Sequence, residues 1–459
     1  MSGLAQIIRA HGNFVSGSDR NCDQQRDHEI FTLLQSQGIK LFPQDGTGIG
    51  PGIDEVILSG AIEDDNPDLK KARELSLPVI ARSELLARLF NAVWGIAVAG
   101  TSGKSTITAM AARIMDEASL DPTVINGAVI SEYKAPGRVG NVKIGHSRFM
   151  LVETDESDGS LVRYYPEIGI LANISKDHKP IPELMQIFAS FVANVKNGLI
   201  VNYDCPLSRE LSLKVSSEKV LTFGFNQGSA VRAEELTVTG RGSTFTVQGT
   251  FFSLPVPGKH NVANALAAIA LGRKLNIPHD TMSHALQKFH GVERRLTRVG
   301  EVKGIKIFDD FSHNAAKIAA AIDALKLIGS RIIVIYQPHG FGPTKLLKDE
   351  LIAAFNLSLR KTDVLILLDI FYVGGTAEKS ISSAELARDV ITPRSQNLKD
   401  RDQVIAFITE EASPGDVVVV MGARDNTLTA FAERILGSLQ KKTFSSNTEK
   451  KENFNEEGK

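Results

Sequence analysis

Gly95-Ile-Ala-Val-Ala-Gly100-Thr-Ser-Gly-Lys104-Ser-Thr106 is the stretch on which the reading of this chain turns. Its apolar first half fits a buried strand, and a glycine turn then leads directly into a helical pattern over about 105–117. Glycines at 100 and 103 let backbone N–H groups close around phosphate oxygens, and the helix N-terminus adds a favourable dipole. Lys104 is placed to reach terminal phosphates, and the Ser105 hydroxyl suits Mg²⁺. The commoner phosphate loop carries a glycine where Val98 stands here, so the shorter form Gly-x2-Gly-Lys-Ser applies. With a strand before it and a helix after it, the segment reads as a nucleotide-binding loop. The competing reading is a glycine turn with a solvated lysine.

Working outward, a strand at 148–154 carries Glu153, and another at 168–174 leads into Asn173-Ile-Ser-Lys-Asp-His178. Parallel strands gather their C-terminal ends at one edge, where ligands bind, so Glu153 and His178 are expected beside the loop, holding a divalent ion. Mg²⁺ prefers oxygen donors, which favours Glu153. For His178 a ligand role and a capping or core role both stay open. The acidic run Glu153-Thr-Asp-Glu-Ser-Asp158 would ordinarily be a solvated loop. Its place after a buried strand makes it a site candidate.

At roughly 150 residues per domain, 459 residues predict about three domains. Region 1–92 alternates helix (3–10, 27–37, 68–75) with strand (13–17, 55–59), which predicts a parallel, doubly wound sheet. Region 93–290 continues with buried strands, an alternating antiparallel stretch over 236–256 and an alanine-rich helix over 260–275. In region 291–440, strands at 306–309, 331–336, 363–369 and 416–421 alternate with helices at 314–328, 344–355, 383–390 and 401–412. Residues 441–459 are polar and expected to be a disordered tail. Hydrophobic residues at 42% and charged residues at 23% are those of a soluble globular protein, and a net charge of -1 gives no footprint for nucleic acid or an anionic membrane. Cys22 and Cys205 alone exclude a disulfide framework. The absence of a signal-peptide pattern and of a long apolar run predicts a cytoplasmic protein.

The loop Gly100 to Thr106 resembles the phosphate loop of the Mur ligases, commonly Gly-Thr-His-Gly-Lys-Thr-Thr. The likeness extends to Ser59-Gly-Ala-Ile62 with Asn66-Pro67, Glu153-Thr-Asp-Glu-Ser-Asp-Gly-Ser160, Asn173-Ile-x-x-Asp-His178 and Gly258-Lys-His-Asn-Val-Ala-Asn264. Arg294-Arg295, Asp309-Asp310-Phe-Ser-His313, Gln337-Pro-His339 and Asp369-Ile370 complete it, and together they are most like the alanine-adding branch. The resemblance, over about 1–438, implies a three-domain α/β architecture: a Rossmann-like domain for a UDP-sugar (1–92), a central ATP- and Mg²⁺-binding domain of P-loop type (93–290) and a Rossmann-like C-terminal domain (291–440). It implies ATP-driven amide formation through an acyl phosphate, joining L-alanine to UDP-N-acetylmuramate in peptidoglycan precursor synthesis. Small molecules, a UDP-sugar carboxylate and an amino acid, would be the partners. By resemblance, Lys104, His178 and Glu153 are catalytic, and Ser105, Glu153 and His178 hold Mg²⁺. Gly100, Thr101, Ser102, Gly103, Lys104, Ser105, Thr106, Asn261, Asn264, Arg295 and Asp310 would bind ATP, whereas Asn261 and Asn264 alone would read as helix caps. Ser59, Ala61, Asn66 and His313 would meet the substrate.

Four departures from the family pattern stand out. The family's opening strand and Gly-x-Gly-Gly-x-Gly loop are not in the sequence, which starts at the Met-Ser-Gly that ends that loop. Ser102 replaces a usual histidine and Ser105 a usual threonine, the latter keeping the hydroxyl. Asp310-Phe-Ser-His313-Asn-Ala stands for Asp-Tyr-Gly/Ala-His-His-Pro, and His339-Gly-Phe-Gly-Pro-Thr344 for a stretch with two arginines. The ATP machinery is kept and the substrate-facing parts are altered. A ligase with another acceptor or amine, such as recycled peptide onto the same sugar nucleotide, and a catalytically weak nucleotide-binding paralogue are the alternatives. A hydride-transfer dehydrogenase ranks behind them, because no complete Gly-x-Gly-x-x-Gly follows an opening strand.

Overall fold

Valine, isoleucine and alanine runs that bury both faces build the central sheet, which carries the glycine loop at 100–103. In this computed structural model, residues 1–441 are described, apart from 26, 27, 61, 137, 178 and 373–378. The sheet runs Val231–Arg232, Val220–Gly224, Gly198–Asn202, Ile168–Leu171, Trp94–Ala99, Phe149–Glu153, Thr123–Ile125, Val142–Lys143. Every neighbouring pair is parallel except the last. Alternation along the strands divides the core in two. Ile96, Val98, Leu151 and Ile170 face the helices Lys104–Glu117 and Lys259–Lys274. Ala97, Ala99, Val152 and Leu171 face Phe90, Leu184 and Phe188 on the other side. Alanines at 109, 111, 112, 265, 267 and 268 in the first two helices are buried and allow close packing there.

The alternating stretch forms an antiparallel sheet of Glu234–Thr239, Gly242–Val247 and Thr250–Leu254, whose Phe245 and Phe252 rings stack at 5.5 Å within the same core. In the first region the strands pair in parallel, but as two separate pairs and not one sheet: Ser16–Ser18 with Lys40–Phe42, and Val56–Leu58 with Val79–Ala81. These strands are three residues long and mostly half-exposed, so little apolar area holds them together. The region is anchored instead by helices Ser2–Ala10 and Arg82–Asn91, whose Leu4, Ile7, Leu86 and Phe90 join the core on the second face of the central sheet.

The third region is a six-stranded sheet in the order Thr297–Val302, Ile305–Asp310, Asp416–Gly422, Arg331–Gln337, Val364–Leu367, Arg394–Asn397. The first pair is antiparallel and the rest are parallel, with helices packed on both faces. One helix expected over 344–355 is two, Phe341–Leu346 and Lys348–Ser358, because Leu347 at φ -103°, ψ 8° ends the first and caps the second. A helix over 428–441 follows the last strand. Of the expected tail only Lys441 is described, and it belongs to that helix; 442–459 lie outside the described residues. Among the described residues no helix is long and apolar enough to cross a membrane.

Candidate active site

The loop after strand Trp94–Ala99 is shaped by its glycines and tied down by the strand beside it. Gly100 at φ +138° and Gly103 at φ +84° occupy backbone conformations that side chains resist. A Cβ on Gly103 would lie 2.5 Å from Asn264 Oδ1, so loop and helix Lys259–Lys274 touch only because that position is bare. Thr101 N donates to Asn173 O (3.1 Å), Thr101 Oγ1 to Asn173 Oδ1 (2.9 Å) and Ser102 N to Asn173 Oδ1 (2.9 Å). Asn173 Nδ2 returns a bond to Ser102 O (2.9 Å). One asparagine just past strand Ile168–Leu171 therefore holds the loop at residues 101 and 102.

Lys104 opens the following helix. Its Nζ donates to Gly100 O at 2.8 Å and pairs with Glu156 Oε2 at 2.5 Å, with 14% of the lysine and 3% of the glutamate side chain exposed. Burial disfavours the ammonium, but the carboxylates of Glu156 and Glu153 outweigh burial and hold its pKa above the ordinary lysine value. Ser105 Oγ donates to Glu153 Oε1 at 3.0 Å, while Glu153 Oε2 accepts from Gly127 N at 2.6 Å. A hydroxyl and a carboxylate side by side form a hard-oxygen donor pair of the kind Mg²⁺ takes.

The opposite wall comes from the third region. Arg295 Nη2 reaches Ser105 Oγ at 3.2 Å, with its guanidinium 5.0 Å over the Phe311 ring. Asp310 accepts from Leu296 N and Ser312 N, both at 2.8 Å, so its carboxylate fixes the segment that carries Arg295. Below it, Asp177 of the central domain accepts from Asn314 Nδ2 (2.8 Å) and Lys317 Nζ (2.9 Å). His313 Nε2 lies 3.2 Å from Lys317 Nζ, and burial pushes the imidazole pKa down to about 4. Between the walls lies a cavity of about 300 Å³, lined among others by Ser102, Ser105, Asn261, Asn264, Arg295 and Lys317.

Comparisons with known proteins return one family along the chain. Residues 1–94 match the pattern described as Mur ligase family, catalytic domain; 98–272 match the Mur ligase middle domain; and 294–424 match the Mur ligase, glutamate ligase domain. A UDP-N-acetylmuramate--L-alanine ligase of Dinoroseobacter shibae is 36% identical over 453 residues, covering 95% of this chain and 94% of the relative. The chain belongs to the Mur ligase family. Among solved structures, a UDP-N-acetylmuramate-alanine ligase of Thermotoga maritima is similar at TM-score 0.76 and 23% identity, covering 96% of this chain and 97% of that one. A murein peptide ligase of Psychrobacter arcticus follows at TM-score 0.68 and 23% identity, with 96% of each chain covered.

Within this Mur ligase fold, the structure gathers most of the expected ATP residues around one cavity. Ser102, Gly103, Ser105, Thr106, Asn261, Asn264, Arg295 and Asp310 line it. Gly100 and Thr101 form the turn behind it, and Lys104 and Glu153 adjoin it through Gly100 and Ser105. Asn261 and Asn264 are linked through Nδ2 of Asn264 and Oδ1 of Asn261 at 3.4 Å, and Asn261 Nδ2 also caps Pro257 O at 2.7 Å. None of the expected substrate residues that are described lines this cavity. Asn66 caps the helix Pro67–Glu74, accepting from Asp68 N (3.0 Å) and Leu69 N (3.2 Å), and Ser59 follows strand Val56–Leu58. Ser59 and Asn66 are not among the cavity's lining residues, and neither is His313, which packs beside Lys317. Ala61 and His178 lie outside the described residues. Sequence reasoning gave no role to Glu156, Asn173, Asp177 or Lys317. Glu156, Asn173 and Asp177 stood in quoted motifs. Lys317 sits in a helical pattern, and nothing local marks it as facing another domain.

Proposed function

We propose that this chain joins L-alanine to the carboxylate of UDP-N-acetylmuramate at the expense of ATP, by way of an acyl phosphate. The observation that carries this reading is near-full-length similarity, at 36% identity, to a relative of that name, on a chain whose phosphate loop and third domain enclose one cavity.

ATP would lie in the cavity with its phosphates over residues 100–106, where backbone N–H groups and the helix N-terminus favour anions. Lys104 would exchange its bond to Gly100 O for a terminal phosphate oxygen. Ser105 and Glu153 would hold Mg²⁺, which neutralises phosphate charge when bound. Among the described residues no cluster of three or more His, Cys, Asp or Glu forms a protein-only metal site, so phosphate oxygens and water would complete the shell, as Mg²⁺ prefers. The sugar carboxylate attacks the γ-phosphorus, giving the acyl phosphate and ADP. The amine of alanine then attacks that carbonyl, and the tetrahedral intermediate collapses to amide and phosphate. Phosphoryl transfer asks the protein chiefly for positioning and positive charge. Arg295, held over Ser105 by the third domain, supplies both and helps to keep water from the acyl phosphate.

The test is a product assay with ATP, Mg²⁺, UDP-N-acetylmuramate and single amino acids. The reading requires a new mass equal to the sugar nucleotide plus alanine less water. Ligation only of a peptide, or of no amine at all, would replace it with another acceptor or amine, or with a non-catalytic role.

A further inference from the structure

Lys317 is a buried lysine that the reaction scheme above leaves without work. It lies near the start of the helix Ala315–Leu325, which Asn314 caps by accepting from Lys317 N at 3.0 Å. Its side chain crosses to the central domain, where Nζ bonds Asp177 Oδ2 at 2.9 Å. Ala316, Lys317 and Ala320 line the cavity from the third-domain side, with Ser102, Gly103 and Ser105 of the phosphate loop opposite. Of these three helix residues on the cavity lining, the lysine alone has a long side chain.

The charge balance around the cavity gives this placement its meaning. Lys104 is already paired with Glu156 and bonded to Gly100 O. Arg295 touches only a hydroxyl and an aromatic face there. Burial holds the Lys317 ammonium below its usual pKa; the Asp177 carboxylate opposes this, while the charges of Lys104 and Arg295 add to the lowering. Lys317 thus feels both other cations beside a cavity that a polyanion would fill, and an incoming triphosphate would offset that repulsion.

We propose that Lys317 is a phosphate-binding residue of the ATP site supplied by the third domain, its ammonium passing from Asp177 to the terminal phosphate of bound ATP. This rests on the reading of the cavity as the ATP site. It couples domain closure to the γ-phosphate: with ADP the lysine stays on Asp177, and with ATP it is shared. The lysine also sits where the acyl phosphate would inherit that phosphoryl group.

The experiment is calorimetric titration of the full chain, with Mg²⁺ present, using the β,γ-imido analogue of ATP and, separately, ADP. A charge-assisted hydrogen bond is worth tenfold or more in affinity. Lys317→Met should therefore weaken the triphosphate analogue by about tenfold or more and leave ADP within about twofold. Lys317→Arg should recover part of the loss, and it replaces the methionine variant should that one fail to fold. Asp177→Asn removes the competing anion but keeps the lysine, so its triphosphate affinity should hold or rise. Equal losses for both nucleotides, no loss for either, or an Asp177→Asn variant that copies Lys317→Met would overturn the proposal, the last by showing the pair to be a strut between domains. Wild-type protein that binds neither nucleotide would overturn both this and the ATP-site reading. Failure to ligate alanine with the binding pattern intact would remove only the substrate reading.

Discussion

Replacing Glu156 by glutamine should weaken the free protein and at the same time make nucleotide stabilise it more. In the wild type, Glu156 neutralises Lys104 at 2.5 Å in a pair that is almost wholly out of water. Removing one partner of such a pair typically costs about 3–5 kcal/mol, because the other charge stays buried. Here Gly100 O still accepts from Lys104, Glu153 still contributes its field, and glutamine keeps an acceptor oxygen, so the loss should fall at or below the lower end of that range, about 2–3 kcal/mol. The phosphates of ATP then offer the lysine the anion it has lost. At a ligand concentration of 100 times Kd, nucleotide stabilises a site by about 2.7 kcal/mol, and tighter binding raises that figure. Urea unfolding with and without MgATP measures both effects. The account expects Glu156→Gln to lose about 2–3 kcal/mol without nucleotide and to gain more from MgATP than the wild type does. A loss under about 0.5 kcal/mol, or a smaller nucleotide gain than in the wild type, would refute the view that Glu156 holds Lys104 charged until phosphate arrives.

Three further outcomes follow from the same geometry. Gly103→Ala puts a methyl against Asn264 Oδ1 at a φ of +84°, so nucleotide affinity measured by titration should fall by at least about tenfold, with a stability loss of about 1–3 kcal/mol. Ser105→Ala removes a hydroxyl beside Glu153 and should raise the Mg²⁺ concentration needed for half-maximal turnover, while Ser105→Thr should not. His313, whose pKa falls from 6.5 to about 4 on folding, is neutral in the folded chain at pH 7. The unfolded chain binds the extra proton first, so this stability is complete above about pH 6.5 and is lost as pH falls towards 4. Unfolding midpoints between pH 7.5 and 4.5 should show that slope, and His313→Gln should flatten it.

The central strand and the glycine turn after it were legible because a single local segment contains both the apolar run and the glycines at 100 and 103 that the turn demands. The antiparallel sheet over Glu234–Leu254 was legible from alternation alone. The first region was harder: alternating elements predict a sheet, but whether three-residue strands join into one depends on packing against a distant helix face, which no local pattern encodes. The break at Leu347 was hidden for a related reason, since the residues on both sides of it favour helix. Lys317 shows the limit for the site. Its role depends on Asp177, which lies far away in sequence, and only the closure of the third domain onto the central one brings the two within 2.9 Å. Asn66 shows the opposite case, because the same asparagine that carried a family motif is engaged in capping a helix.

The most direct test of the central claim is to follow an oxygen atom. UDP-N-acetylmuramate labelled with ¹⁸O in its carboxylate, incubated with the protein, ATP, Mg²⁺ and L-alanine, should pass one labelled oxygen into inorganic phosphate as each amide forms, with ADP as the other product. Label appearing in AMP, or phosphate released without label and without amide, would contradict an acyl phosphate formed over the loop at 100–106.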